Sequence, residues 1–196
     1  MMHRLMRMML RGATLLCITA SANAGCFPAG QMPARITYTD RASHIIIAAD
    51  GESTTYQAFD TKGVYQNGAT ILSGIFLKSI AVGGATVVRY TWNGRLPTRK
   101  DFVVGAVFDV TGVEDSGVKH KVSMHIEVLE MTTARVGLCR YPAIKLSYVF
   151  EVAGAHGSKG TRVMDPVTMQ TYRADFTATN PDGTTGKFHP VIAKLE

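Results

Sequence analysis

The clearest signal along the chain is the alternation of apolar and polar residues between Lys119 and Val152. Val122, Met124, Ile126 and Val128 share one parity, while Lys121, Ser123, His125 and Glu127 take the other. Beyond Pro142 the pattern resumes, with Ile144, Leu146, Tyr148, Phe150 and Val152 set against Lys145, Ser147 and Glu151. Successive side chains of a strand point to opposite faces of its sheet, so both segments predict half-buried antiparallel strands, apolar inward. A short irregular passage holding Cys139 is expected between them. A helix over residues 127–136 is the competing reading, because Glu, Leu, Met and Ala are good helix formers.

Turn dipeptides punctuate the rest of the chain. Asp50-Gly51, Asn67-Gly68, Gly83-Gly84 and Asn93-Gly94 predict two-residue hairpins, since such turns need the positive φ that Gly and Asn tolerate. Asp115-Ser116-Gly117 and Asn180-Pro181-Asp182-Gly183 predict slightly longer turns. Between them lie runs rich in β-branched and aromatic residues at 35–39, 44–49, 53–59, 71–82, 85–92 and 102–111. Within the last of these, residues 102–108 are apolar on both faces and predict a central strand. Residues 168–179 predict a further half-exposed strand, and residues 188–195 one confined to an edge by Pro190. About nine or ten short strands with hairpin spacing imply a mainly β fold, a single antiparallel sandwich or barrel.

The first residues fall outside that scheme. Arg4, Arg7 and Arg11 precede a short apolar run over residues 13–20, and Ala22-Asn23-Ala24 offers the small residues a signal peptidase reads. Residues 1–24 therefore read as a secretory signal peptide, and residues 25–196 as one all-β domain. No stretch approaches the roughly 20 apolar residues of a spanning helix, so no transmembrane span is expected.

Removing the signal changes the charge and composition. Of 21 Lys and Arg residues three leave with it, so 18 basic residues face 15 acidic ones, a net +3. That mild excess gives no signature of a nucleic-acid partner. Five of the ten methionines leave as well, and with them a copper-handling reading. Cys17 also lies in the signal, which leaves Cys26 and Cys139. Two thiols in an exported chain favour a disulfide. The rival is a lipid anchor: Ala24-Gly25-Cys26 looks like the end of a lipoprotein signal, although Asn23 stands where leucine is usual.

Candidate chemistry is sparse. His125 and Glu127 sit two apart on one strand face, a weak start for a metal site, but His120 has the opposite parity and supplies no third ligand. Ser116 in Asp115-Ser116-Gly117 lacks the setting of a serine-protease nucleophile, since Val118 replaces the second glycine. The loop expected at residues 154–161 carries phosphate-loop letters in the wrong order, Lys159 preceding Gly160; as a glycine-rich tip holding His156 it suits contact with a partner. Arg89, Tyr90, Trp92, Arg95 and Arg99 gather the single tryptophan beside a basic cluster, which suits sugars or acidic groups. Tyr90 and Trp92 share parity with Thr86 and Val88, which instead directs both rings toward the core.

These residues imply a periplasmic or secreted β domain that works by binding rather than catalysis, without a cofactor. The leading expectation is a protein partner, as for an inhibitor, immunity-type protein or envelope-assembly accessory. A carbohydrate- or envelope-binding module using the Tyr90–Trp92 turn is the alternative, and an uncharacterised hydrolase the second.

Overall fold

The computed structural model describes residues 25–154 and 156–196. The signal segment expected at residues 1–24 lies outside the described residues. The strands are β1 (Arg35–Tyr38), β2 (Ser43–Asp50), β3 (Ser53–Phe59), β4 (Tyr65–Leu72), β5 (Phe76–Val82), β6 (Ala85–Trp92) and β7 (Val107–Asp115). They continue as β8 (Lys119–Val136), β9 (Cys139–Val152), β10 (His156–Met164), β11 (Thr171–Thr179), β12 (Thr185–Phe188) and β13 (Ile192–Leu195). Each strand from β1 to β11 pairs antiparallel with its successor, and β13 returns to pair with β1.

The result is one antiparallel sheet of 13 strands, not the nine or ten expected, and it is neither a two-sheet sandwich nor a closed barrel. Its two ends are β12 and β13, which do not pair with each other. The segment between them ties the ends across: Ala174 N–H donates to the Pro190 carbonyl at 3.0 Å and Thr39 N–H to that of Val191 at 2.9 Å.

The extra strands have local causes. The run at 71–82 is split by a tight turn in which Ser73 and Gly74 take φ of 46° and 68°. Asn67-Gly68 makes no hairpin; Gly68 lies inside β4, paired with Gln57 and Ala81. The apolar run at 102–108 is not a central strand. A 3₁₀ turn at Arg99–Asp101 precedes it, held by Thr98 N–H and Oγ1 donating to Asp101 Oδ2 at 2.7 and 2.9 Å. Gly105, at φ 85°, then swings the chain into β7 and leaves Val103, Val104 and Val107 exposed. The expected loop at 154–161 becomes most of β10, which hydrogen-bonds to β9 and β11 along its length.

The organising hairpin is β8–β9, turning at residues 137–138 and placing Cys139 inside β9 rather than in an irregular passage. Residues 127–136 are strand, not helix. A bulge at Leu129 interrupts the ladder between Val128 and Glu130. Before it, even residues of β8 face even residues of β9, as in Val128 opposite Leu146; after it, Ala134 faces Tyr141. An extra residue in one strand reverses the faces of all the residues beyond it. Val122, Met124, Ile126 and Val128 therefore pack into a main core with Ile144, Leu146, Tyr148 and Phe150. Ala134, Val136, Tyr141 and Ala143 join a second cluster with Ile36, Val163, Tyr172 and Ile192. Cys26 and Cys139 form a disulfide with Cα atoms 5.7 Å apart, joining the N-terminal segment to this hairpin.

Candidate functional site

Curling of the sheet brings the inner faces of β2–β5 opposite those of β8–β11, with a cavity of about 300 Å³ between them. Parity decides what enters it. On β10, Ser158, Gly160 and Arg162 stand beside Phe150, Tyr148 and Leu146 of β9, so a charged side chain shares the apolar face. The Arg162 guanidinium lies over the Tyr148 ring, 4.8 Å from its centroid, next to the position that Gly160 leaves without a side chain. Its Nε is buried and has no hydrogen-bond partner.

The facing wall carries Tyr38, His44 and Tyr56. His44 stacks on Tyr56 with centroids 4.3 Å apart, and its Nδ1 lies 3.0 Å from the Tyr38 hydroxyl oxygen. Burial pushes the His44 pKa down to about 4, so the ring is neutral at pH 7. Burial raises both phenols, and the Arg162 charge opposes that rise. Ile46, Ile71, Leu77, Phe150, Met169 and Phe176 supply apolar lining, and no carboxylate lines the cavity among the described residues. Arg162 is thus its single fixed charge.

One wall is held by a buried acid. Asp165 Oδ1 accepts the N–H groups of Val167 and Thr168 at 2.7 and 2.8 Å, and Oδ2 accepts the Tyr172 hydroxyl at 2.7 Å. These bonds shape the β10–β11 loop, whose Thr168, Met169 and Gln170 line the cavity.

The residues singled out from sequence do not gather in one place. Tyr90 is buried and Trp92 half-buried, its Nε1–H donating to the Leu77 carbonyl at 2.7 Å and its ring edge-on to Phe76. Arg89 is exposed on β6. Arg95 lies 3.6 Å from Asp101, and Arg99 pairs with Glu52 at 3.3 Å. Tyr90 and His156 do converge, on Glu114: the phenol donates to Oε2 at 2.7 Å, and His156 Nε2 is 3.3 Å from the same oxygen. Glu114 is only 3% exposed, and burial together with this bond raises the Tyr90 pKa. Glu114, next to the expected Asp115-Ser116-Gly117 turn, was not singled out from sequence. Its parity with buried Val110 and Gly112 was the available signal.

His125 and Glu127 lie on the exposed face of β8, where His125 Nδ1 sits 2.7 Å from Asp109 Oδ1 across the ladder. Among the described residues, no three His, Cys, Asp or Glu side chains converge on a metal-sized site. Ser116 lies in the β7–β8 turn, as expected.

The fold and cavity define a protein built on one curled antiparallel sheet around a partly enclosed apolar chamber. No family profile matches the chain, and no curated protein matches it. Its structure is similar to that of the hypothetical lipoprotein YmcC from Escherichia coli (K12), with a TM-score of 0.50 and 11% identity over 84% of this chain and 86% of that one. A protein from Bacteroides fragilis, an exported-protein candidate with YmcC-like fold, aligns with a TM-score of 0.43 and 13% identity over 87% of this chain and 98% of that one.

Proposed function

We propose that the protein is an exported, non-enzymatic binding protein that takes a small ligand with an apolar body into the cavity between β2–β5 and β8–β11. The observation that carries this is the cavity: about 300 Å³, mostly apolar, with Arg162 on one wall and Tyr38, His44 and Tyr56 on the facing one. Small-molecule sites are concave and apolar with a small number of orienting polar groups, typically ~300–1,000 Å³. A neutral histidine, two protonated phenols and one arginine are groups that orient a ligand. Export is supported by the signal-like residues 1–24, by the Cys26–Cys139 bridge and by the description of the similar Escherichia coli protein as a lipoprotein. A lipid anchor on Cys26 would require that bridge to open, because both use the same sulfur. This reading replaces the protein partner expected from sequence with a small ligand, and the Tyr90–Trp92 turn of the alternative with an interior site.

The test is titration with N-phenyl-1-naphthylamine, a neutral apolar fluorophore that brightens on leaving water. One saturable site is expected, weakened at least tenfold by Ala174→Leu, which fills the cavity from β11. Near-ultraviolet circular dichroism of Trp92 confirms that the variant is folded. Absence of saturable binding, or binding indifferent to a folded Ala174→Leu, would sink the reading.

A further inference from the structure

We propose that Arg162 makes this cavity selective for organic anions of single charge, the acid group held by the guanidinium and the apolar body lying along Tyr148, Phe150 and Met169. The inference rests on the cavity being a binding site and adds the chemical class of its ligand.

Four observations carry it. Arg162 Nε is buried without a partner, and no side-chain hydrogen bond or salt bridge reaches its guanidinium among the described residues. Burying an unpaired charge or donor is unfavourable, and arginines inside proteins are ordinarily matched by an acid. The Tyr148 face offsets part of that cost through a cation–π contact, but a ring face does not accept the in-plane Nε–H. Among the described residues no carboxylate lines the chamber, so the acid that would complete the pairing is a ligand's.

The geometry also limits the ligand. A guanidinium presents a planar fork that takes a carboxylate or sulfonate through two parallel hydrogen bonds. Its place over the Tyr148 ring, 4.8 Å from the centroid, limits where that fork can lie. Tyr38 and Tyr56 lie close enough for the Arg162 charge to act on both, and as neutral phenols they are further donors toward the same acid. His44, neutral above about pH 4, adds no second charge. One cation in an apolar chamber balances one anion, and a dianion would carry an unpaired charge into it.

The experiment compares N-phenyl-1-naphthylamine with 8-anilino-1-naphthalenesulfonate, the same aromatic skeleton bearing a sulfonate, on the full protein with its disulfide intact. Wild type is expected to bind the sulfonate roughly tenfold to hundredfold tighter than the neutral probe, the range for a charge-assisted hydrogen bond. Arg162→Gln should abolish that preference, so that the two probes bind with similar affinity, and Arg162→Lys should restore part of it. Equal or weaker sulfonate binding in wild type would overturn the anion proposal and leave the cavity reading standing. A preference that survives in Arg162→Gln would overturn the assignment to Arg162. Failure of both probes to bind would overturn the cavity reading itself.

Discussion

His44 lies flat on Tyr56, their rings 16° from parallel, while its Nδ1 faces the Tyr38 hydroxyl. The groups around it are Tyr38 on β1, Tyr56 on β3 and Arg162 on β10. Burial lowers its pKa from 6.5 to about 4, so below pH 6.5 the unfolded chain takes up a proton that the folded one refuses. Stability is therefore full above pH 6.5 and falls as pH drops toward 4, by no more than about 3 kcal/mol. Both phenols, raised by burial, stay protonated throughout that window. Urea unfolding at pH 7.5, 5.5 and 4.5 should show a steeper decline in wild type than in His44→Gln, which has no ring to titrate. Parallel declines would contradict the assignment.

Removing the Tyr90 hydroxyl leaves buried Glu114 short of a donor at Oε2. Tyr90→Phe should cost about 1–3 kcal/mol, the penalty of an under-satisfied buried polar group. Glu114→Gln still offers an oxygen to the phenol and should cost less than Glu114→Ala. Denaturant midpoints for the three variants check that order.

Gly74 and Gly83 both take positive φ, at 68° and 59°, yet they should respond differently to alanine. A Cβ on Gly74 would fall 2.3 Å from the Met169 carbonyl oxygen, whereas one on Gly83 meets nothing within 4 Å. Gly83→Ala should cost about 1–2 kcal/mol for the left-handed backbone alone. Gly74→Ala adds a clash with main chain and should cost at least about 1 kcal/mol more. It should also disturb probe binding, because Gly74 and Met169 both line the cavity. Thermal unfolding and probe titration of the two variants are the measurements.

The Cys26–Cys139 bridge spans a sequence separation of 113. In the chain-entropy account, closing so long a loop stabilises by about 4–5 kcal/mol. Reduction, or Cys139→Ser, should lower stability by an amount of that order in urea titrations. An unchanged midpoint on reduction would show that the bridge adds nothing.

The hairpin at the centre of the fold was legible because Met124, Ile126, Tyr148 and Phe150 alternate strictly with polar residues, and half-buried strands leave that signature. The Leu129 bulge was not, since an inserted residue changes which face a side chain meets without disturbing the run of residue types. Strand β10 was hidden for another reason. Its Gly157, Ser158, Lys159 and Gly160 read as loop, and they are extended because backbone hydrogen bonds to β9 and β11 hold them on both sides. Arg162 follows directly on the expected loop at 154–161, and with no strand predicted there it was assigned no face. Tyr38, His44 and Tyr56 lie on separate short strands, and only the curl of the sheet gathers them.

The return of β13 to β1 bears on how the chain reaches its final form. Neighbour-to-neighbour pairing lets most of the sheet assemble from local hairpins as the polypeptide emerges. The outer edge of β1 is different: its partner is β13, with Leu195 opposite Ile36, the strand farthest from it in sequence. Until β13 docks, the outer edge of β1 stays unpaired. Pairing the two strands most distant in sequence closes the longest loop in the sheet, so this contact completes the fold after the local hairpins have formed.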